Sequence, residues 1–517
     1  MKSVVVPAPP DEPTVPAPLS EAPGQPYRER FAFTGSLRAR AARGTVINTA
    51  FSVALGVLTL VKGFVLAAFL SRADYGIWGL IAVSMSALLF FKQAGIGDKF
   101  VQQAEVDQEA AFQKALTLEL LVTALCVLLI AVAVPVLVWI YDLPQLVAPC
   151  AVIAFALLVS VFQAPLWIYY RRMEFARQRA LQAVDPVVGF VVSLGLAIAG
   201  TGYWAFVGGL AAGACASSAV AVARSPFRVR LRYDRGSLRD YWSFSGPLLV
   251  AGVAGAAMAW SASLAAKLDL GVGAVGVITL AYTISSFTDR VDQLVTGALY
   301  PAICAVRDRT DVLYESLVKS NRLALMWAVP FGIGVTLFSP DLVRFVIGER
   351  WHPAIIVLQV SGVTAAVNHV GFNWTAYFRA LGRTRPLAVE TVAAAAIFIA
   401  AGIPLLIVFG LPGFAAGVAG QAVAALVMRV YYLRRLFPAF RFLGHAARAF
   451  APTVPGAALV LAVRALEPGG RTLAMALGEL GAYVLVTLTA TVYLESSLLC
   501  EALRELAPPT QRPATAV

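Results

Sequence analysis

The sequence predicts an all-α membrane protein of about 14 transmembrane helices, arranged as two six-helix lobes in pseudo-repeat plus two C-terminal helices. Three observations carry this expectation. Hydrophobic residues make up 59% of the 517 and charged residues only 14%, a balance that one core inside a solvated surface does not accommodate. Successive stretches are each apolar over the ~17 to 25 residues that a helix needs to cross ~30 Å of hydrocarbon. The short segments between them carry Lys and Arg almost entirely on alternate sides, the pattern of the positive-inside rule.

Residues 1–44 are rich in Pro, Ala and acidic groups and lack an apolar h-region. They read as a disordered cytoplasmic tail that turns basic at Arg30, Arg38 and Arg40, where an anionic inner leaflet would hold it. The first lobe, 45–223, contains helices at Thr45 to Leu70, Tyr75 to Phe91, Ala115 to Trp139, Leu146 to Tyr169, Leu181 to Ile198 and Trp204 to Val222. A basic cytoplasmic linker, 224–240, leads to a second lobe, 241–435. Its helices are Tyr241 to Leu264, Val275 to Leu299, Leu323 to Ile347, Ile355 to Phe378, Leu387 to Phe409 and Gly413 to Leu433. Residues 436–496 supply Ala451 to Leu466 and Leu473 to Leu494, the former short and marked by Pro452, Pro455 and Arg464. A cytoplasmic tail, 497–517, follows.

With both termini cytoplasmic, the outer connections hold only Arg72, Lys267, Arg344, Arg350, Arg464 and Arg471 of the 41 Lys and Arg. Removing one helix would scramble that alternation. The net charge of +12 is therefore a topology signal spread over loops and implies no nucleic-acid partner. Cys126, Cys150, Cys215, Cys304 and Cys500 show no paired spacing, so they read as small apolar fillers, with neither a disulfide framework nor a metal site implied.

The halves echo one another. Trp167, Tyr170 and Arg172 recur as Trp374, Tyr377 and Arg379, and Gly202, Phe206 and Gly209 recur as Gly410, Phe414 and Gly417. A weaker echo links Asp74-Tyr75-Gly76-Ile77 to Ala274-Val275-Gly276-Val277. A six-helix unit repeated in parallel orientation accounts for these matches, and such repeats usually enclose a substrate path.

Polar side chains at helical spacing mark a face turned to water, substrate or a neighbouring helix. The eighth helix has Tyr282, Ser285, Ser286, Asp289, Gln293 and Thr296, with Arg290 and Asp292 beside them. Internal charge pairing and a cavity lining both remain open for Asp289, Arg290 and Asp292. The first helix aligns Thr45, Asn48, Ser52, Gly56, Thr59 and Gly63, with Lys62 alongside. Snorkelling and a cavity-facing ammonium both fit Lys62. The tenth helix adds Ser361, Thr364, Asn368, His369 and Asn373; His369 reads as a hydrogen-bonded packing residue or a proton carrier. The run Gly271, Gly273 and Gly276 follows no strand, and the pairs Gly209/Gly213 and Gly413/Gly417 suit close helix packing. There is no phosphate-binding Gly-rich loop and no long outer loop on which to build a catalytic centre, so neither an enzyme nor a cofactor is implied.

Several segments resemble a known family. They are Phe69-Leu70-Ser71-Arg72-Ala73-Asp74-Tyr75-Gly76-Ile77-Trp78, Gly95-Ile96-Gly97 before Val101-Gln102-Gln103, and Tyr170-Arg171-Arg172-Met173-Glu174-Phe175. Later come Tyr300-Pro301-Ala302 with Val306-Arg307-Asp308, Ile347-Gly348-Glu349-Arg350-Trp351 before Pro353, and Ala380-Leu381-Gly382-Arg383. From Thr45 to Arg435 the chain is similar to the polysaccharide flippases of the multidrug/oligosaccharidyl-lipid/polysaccharide exporter superfamily. The resemblance implies a two-lobed transporter that moves a polyprenyl-pyrophosphate-linked oligosaccharide from the cytoplasmic to the outer leaflet of a bacterial-type inner membrane. Its expected partners are that lipid-linked glycan, membrane lipids, and the polymerase and chain-length machinery. Where family members often carry an acidic residue in the seventh helix, residues 260–264 hold only Ser261 and Ser263 as polar groups besides Trp260. No coupling role is carried over to that position.

A wet, cationic path would spare pyrophosphate and sugar hydroxyls the loss of their hydration. On this reading Lys62 and Arg290 attract pyrophosphate, Asn48, Asn368 and Asn373 bond to sugar or phosphate oxygens, and Trp260 stacks on sugars. Asp289, Asp292 and His369 are candidates for ion coupling or charge pairing. Alternatives are a cation-coupled drug or metabolite antiporter, a peptidoglycan-precursor flippase and, in a different class, a membrane glycosyltransferase.

Overall fold

The computed structural model describes residues 37–89, 96, 97, 100, 107–172, 174–232, 259–289, 303, 309–381, 383, 385–466 and 471–506. All regular structure among them is helical. Eight helices there are long and apolar enough to cross a membrane, and a bent pair makes a ninth. The first lobe opens with α1 (Leu37–Phe69) and α2 (Arg72–Leu89), followed by α3 (Gln108–Tyr141). The fourth predicted span comprises α4 (Val147–Ser160) and α5 (Pro165–Arg171), and α6 (Phe175–Gln182), α7 (Val184–Ile198) and α8 (Trp204–Ala223) complete the lobe.

In the second lobe α9 covers 259–270, followed by α10 (Val272–Ser285), α11 (Thr310–Asp341), α12 (Ala354–Asn368) and α13 (Trp374–Ala380). The helices α14 (Arg385–Ile397) and α15 (Ile403–Leu436) are separated by a π-helical turn at Phe398–Gly402. The first part of the seventh predicted helix and the last part of the eighth lie outside the described residues.

Polar side chains at the turns supply the groups that helix ends leave unpaired. Between α1 and α2, Ser71 Oγ accepts from the Asp74 amide at 3.1 Å, while Asp74 Oδ2 accepts from the Ser71 amide at 3.1 Å. This reciprocal box fixes the start of α2. Asp74 Oδ1 also accepts from the Tyr203 amide at 3.0 Å, joining α2 to the start of α8. Asp107 caps α3 through the Ala110 amide at 3.0 Å. The beginning of the basic linker lies along α3: Glu109 Oε1 accepts from the Arg228 amide at 3.1 Å, and Thr117 Oγ1 from the Arg232 amide at 2.7 Å.

The sequence echoes correspond to equivalent pieces of architecture. Gly202 (φ 62°) and Gly410 (φ 65°) both adopt left-handed backbone, where a Cβ would be strained, and each reverses the chain before the last helical stretch of its lobe. A Cβ on Gly209 would meet Gly189 O at 2.5 Å, and one on Gly417 would meet Gly402 Cα at 2.5 Å. The small-residue pairs therefore bring neighbouring helices within each lobe into backbone contact. Between lobes the contact is reciprocal. A Cβ on Gly76 would overlap Val272 O, while one on Gly276 would overlap Arg72 O, each at 1.9 Å. Thus α2 and α10 cross as two-fold mates.

One apolar core joins the lobes at this end. Tyr75 is buried, with its ring 4.9 Å from Phe206 and 5.1 Å from Trp351, both edge to face. Its hydroxyl donates to Gly63 O at 2.6 Å. Trp351 Nε1 donates to Ala67 O at 2.9 Å, and Arg350 donates to Ala67 O and Ala68 O.

The thirteenth predicted helix is a bent pair, α16 (Phe442–Phe450) and α17 (Val454–Leu466), at 54°. Pro452 lies in the bend, where its missing N–H interrupts the helical ladder. The last span is α18 (Leu473–Leu494), and α19 (Ser496–Leu506) follows. Arg464 and Arg471 both bond to Asp341 of α11 and Glu479 of α18, with Arg464 Nη2 to Asp341 Oδ2 at 2.9 Å and Arg471 Nη1 to Glu479 Oε1 at 2.9 Å. Toward the opposite end of α11, Arg322 pairs with Glu495 and Lys319 with Glu501. The terminal helices are fastened to α11 at both ends.

Candidate functional site

The first and eighth predicted helices meet between the lobes. Gly63 of α1 is buried, and a Cβ there would touch the Thr283 methyl of α10 at 3.4 Å. One turn further along, Ser286 Oγ donates to Thr283 O at 3.0 Å. Tyr282 is exposed, and Asp289 acts on it electrostatically. The polar stripe is consequently an interlobe feature with an open side.

Lys62 is half-buried on α1, and the carboxylate acting on its ammonium is Asp185 of α7. Gln163, in the turn between α4 and α5, donates to Asp185 Oδ2 at 3.5 Å. Gly213 of α8 makes room for this acid: a Cβ there would stand 2.4 Å from Asp185 Oδ1. The first lobe thus holds a cation, an acid and an amide at partly open positions.

The second lobe contains a deeper polar cluster around the break between α12 and α13. That break frees backbone groups at 368–373, and Gly371 takes φ 73°. Asn321 of α11 receives the Gly371 amide on Oδ1 at 2.9 Å and donates from Nδ2 to His369 O at 2.9 Å. His445 Nε2 lies 2.8 Å from the same Asn321 Oδ1. Arg429 of α15, only 3% exposed, donates to Asn368 O and Val370 O and lies 3.5 Å from Glu390 Oε1 of α14. Together these groups supply the partners that a buried helix break requires.

The predicted tenth-helix residues divide around this cluster. His369 is buried, with Nδ1 2.7 Å from Ala365 O and Nε2 3.1 Å from Asp289 Oδ1. Nε2 is close to this carboxylate, yet among the described residues it makes no hydrogen bond. Asp289 is 37% exposed at its side chain and so joins the buried histidine to the open side of α10. Asn373 is 2% exposed and donates to Ser320 Oγ at 2.7 Å and Leu317 O at 3.3 Å. Among the described residues the buried oxygens Asn368 Oδ1 and Asn373 Oδ1 have no hydrogen-bond partner. Trp260 is partly buried on α9 and packs against the apolar core that joins the lobes. Asn48 lies on α1, but its side chain is outside the described residues, as are Arg290 and Asp292.

Asp185, Gln163, Asn321, Glu390 and Arg429 were not singled out from the sequence. The available signal for Glu390 and Arg429 was a charged residue inside each of two consecutive apolar spans; their separation of 39 residues hides that they meet. Among the described residues no group of three His, Cys, Asp or Glu could hold a metal ion.

This architecture has known counterparts. An inward-facing multidrug resistance MATE family transporter of the MOP superfamily aligns over 75% of this chain and 98% of its own, with TM-score 0.61 and 15% identity. The lipid II flippase MurJ, in an inward closed conformation, aligns over 87% of this chain and 99% of its own, with TM-score 0.63 and 11% identity. In sequence, the lipopolysaccharide biosynthesis protein WzxC of Escherichia coli (strain K12) is 29% identical over 103 residues, 20% of this chain and 21% of WzxC. The chain therefore spans about a fifth of the length of that curated relative. The family model described as polysaccharide biosynthesis protein matches residues 65–356, and this multi-pass membrane chain belongs to the polysaccharide biosynthesis protein family.

Proposed function

We propose that the protein is a flippase, without catalytic chemistry, that carries a polyprenyl-pyrophosphate-linked oligosaccharide from the cytoplasmic to the outer leaflet during surface polysaccharide biosynthesis. The observation that carries this reading is the reciprocal seam at Gly76 and Gly276, beside which α1 and α10 meet. Two lobes that meet at such a seam can part and rejoin there, rocking about a sheltered path while the lipid tail stays in the bilayer. Family membership and the fold shared with MurJ and MATE transporters support the same reading. The charge pattern supports an inner-membrane location, cytoplasmic termini and the domain limits given above.

In this mechanism Lys62 and Arg290 attract the pyrophosphate, and Asn48, Asn368, Asn373 and Trp260 meet phosphate and sugar groups. Moving the anion through a cationic, water-filled path avoids transferring naked charge into hydrocarbon. Asp289 and His369, with Asp292 nearby in sequence, form the candidate coupling set. The polymerase and chain-length machinery would receive the translocated glycan.

The test is reconstitution in vesicles with a lipid-linked oligosaccharide and measurement of its arrival in the opposite leaflet. Lys62→Ala combined with Arg290→Ala should lower the rate at least ~10-fold, the factor for losing roughly one charge-assisted contact. An unaltered rate would remove both residues from the mechanism, and sugar transfer by the purified protein would return the glycosyltransferase reading.

A further inference from the structure

We infer that the outer end of the molecule holds a second site for a lipid-linked pyrophosphate, separate from the interlobe polar face and suited to receiving the substrate as it leaves. This rests on the proposed flippase activity and adds a location to it. A cavity of about 1010 Å³ lies beside the lobe seam. Its walls come from the turn between α1 and α2, the turn between α9 and α10, the approach to α12, and the kink at Gly410 within α15.

The lining chemistry is asymmetric. Arg72, Arg350 and His352 contribute nitrogen donors, Gln359 adds an amide, and among the described residues no carboxylate lines the cavity. Arg72 and His352 are exposed. Arg350 is anchored by the Ala67 and Ala68 carbonyls, which hold its guanidinium at the rim. Paired guanidinium groups suit adjacent phosphates through charge-assisted hydrogen bonds. The helix α2 begins at a lining residue, and the first turns of α10 and α12 also line this space, so their positive dipole ends reinforce the field set by the side chains.

Leu270, Ile356 and Phe409 form an apolar wall, and all three are exposed. A ligand that fills both parts has an anionic head and a hydrocarbon chain. The volume reaches the upper end of ordinary small-ligand sites, ~300 to 1,000 Å³, and accommodates a pyrophosphate carrying sugars rather than one phosphate alone. A cationic landing place outside the seam gives the head a favourable destination when the lobes separate.

Binding should be measured on the full chain in nanodiscs of phosphatidylcholine, with a radiolabelled short-chain polyprenyl pyrophosphate as probe. Wild type should show two components. Arg72→Ala combined with His352→Ala should weaken one of them about 10-fold, the factor for one lost charged hydrogen bond, and leave the other as an internal measure of folding. Arg72→Lys with native His352 should retain most of the binding. Two unchanged components in the double variant would overturn the outer site while leaving the flippase reading intact. Absence of probe binding by wild type would overturn both. Equal displacement by phosphatidylglycerol would also overturn the assignment, because the cavity would then take bulk phospholipid. A diazirine-bearing probe requires no variant: crosslinks at 270–274 or 352–359 support the site, and crosslinks confined elsewhere contradict it.

Discussion

The two lobes break equivalent helices and repair them differently. In the first lobe the interruption between α4 and α5 is a 3-10 turn at Val161–Gln163 followed by Pro165. Two serine hydroxyls suffice there, one local and one from α8: Ser160 Oγ donates to Leu157 O at 2.7 Å, and Ser218 Oγ to Val159 O at 2.8 Å. Gln163 is left to face Asp185 and, through it, Lys62. In the second lobe the break at 368–373 is repaired by Asn321 and Arg429, which reach in from α11 and α15. The lesson is that polar residues in apolar helices serve two purposes. Those of the second lobe largely hold the backbone, whereas those of the first keep a partly open cation.

The largest effect that would sharpen this contrast is expected at Arg429. Arg429→Leu leaves Glu390 without its cation and deprives Asn368 O and Val370 O of a donor. Breaking a buried pair in this way costs ~3 to 5 kcal/mol, so the thermal midpoint in detergent should fall sharply. Asn321→Leu should follow, at ~2 to 3 kcal/mol, because the Gly371 amide and His369 carbonyl lose their partners. Gln163→Leu, at the equivalent break of the first lobe, should change stability by ~1 kcal/mol or less, since its bond to Asp185 is long and only partly buried. If Gln163→Leu were as damaging as Arg429→Leu, the distinction between the two repairs would fail.

Much of the fold was legible because lipid imposes a simple requirement, a long apolar run for each crossing. The spans from α1 to α8 and the final α18 follow that pattern closely. The first-lobe break had a visible signal in Pro165, which fixes backbone and lacks a donor. The second-lobe break had none of that kind: His369–Asn373 contains no proline, and the groups that stabilise it are 48 to 61 residues away. The Gly76 and Gly276 echo was readable as repetition, but sequence alone did not reveal that each glycine lies against the other helix. Lys62 stood out as a cation within an apolar helix, whereas its acid, Asp185, is 123 residues distant and sits near the beginning of another span.

The most direct test of the account locks the seam through which the lobes must separate. A Cβ on Gly79 would lie 3.1 Å from Cβ of Thr279, a few tenths of an ångström short of the ~3.5 to 4.5 Å range of a disulfide, so a small shift of α2 against α10 brings the pair into range. In a background with Cys500→Ser, Gly79→Cys combined with Thr279→Cys should crosslink on mild oxidation. Translocation of lipid-linked oligosaccharide in vesicles should then stop, and recover when the bond is reduced. Transport at the reduced rate by the fully crosslinked protein would contradict alternating access between these lobes.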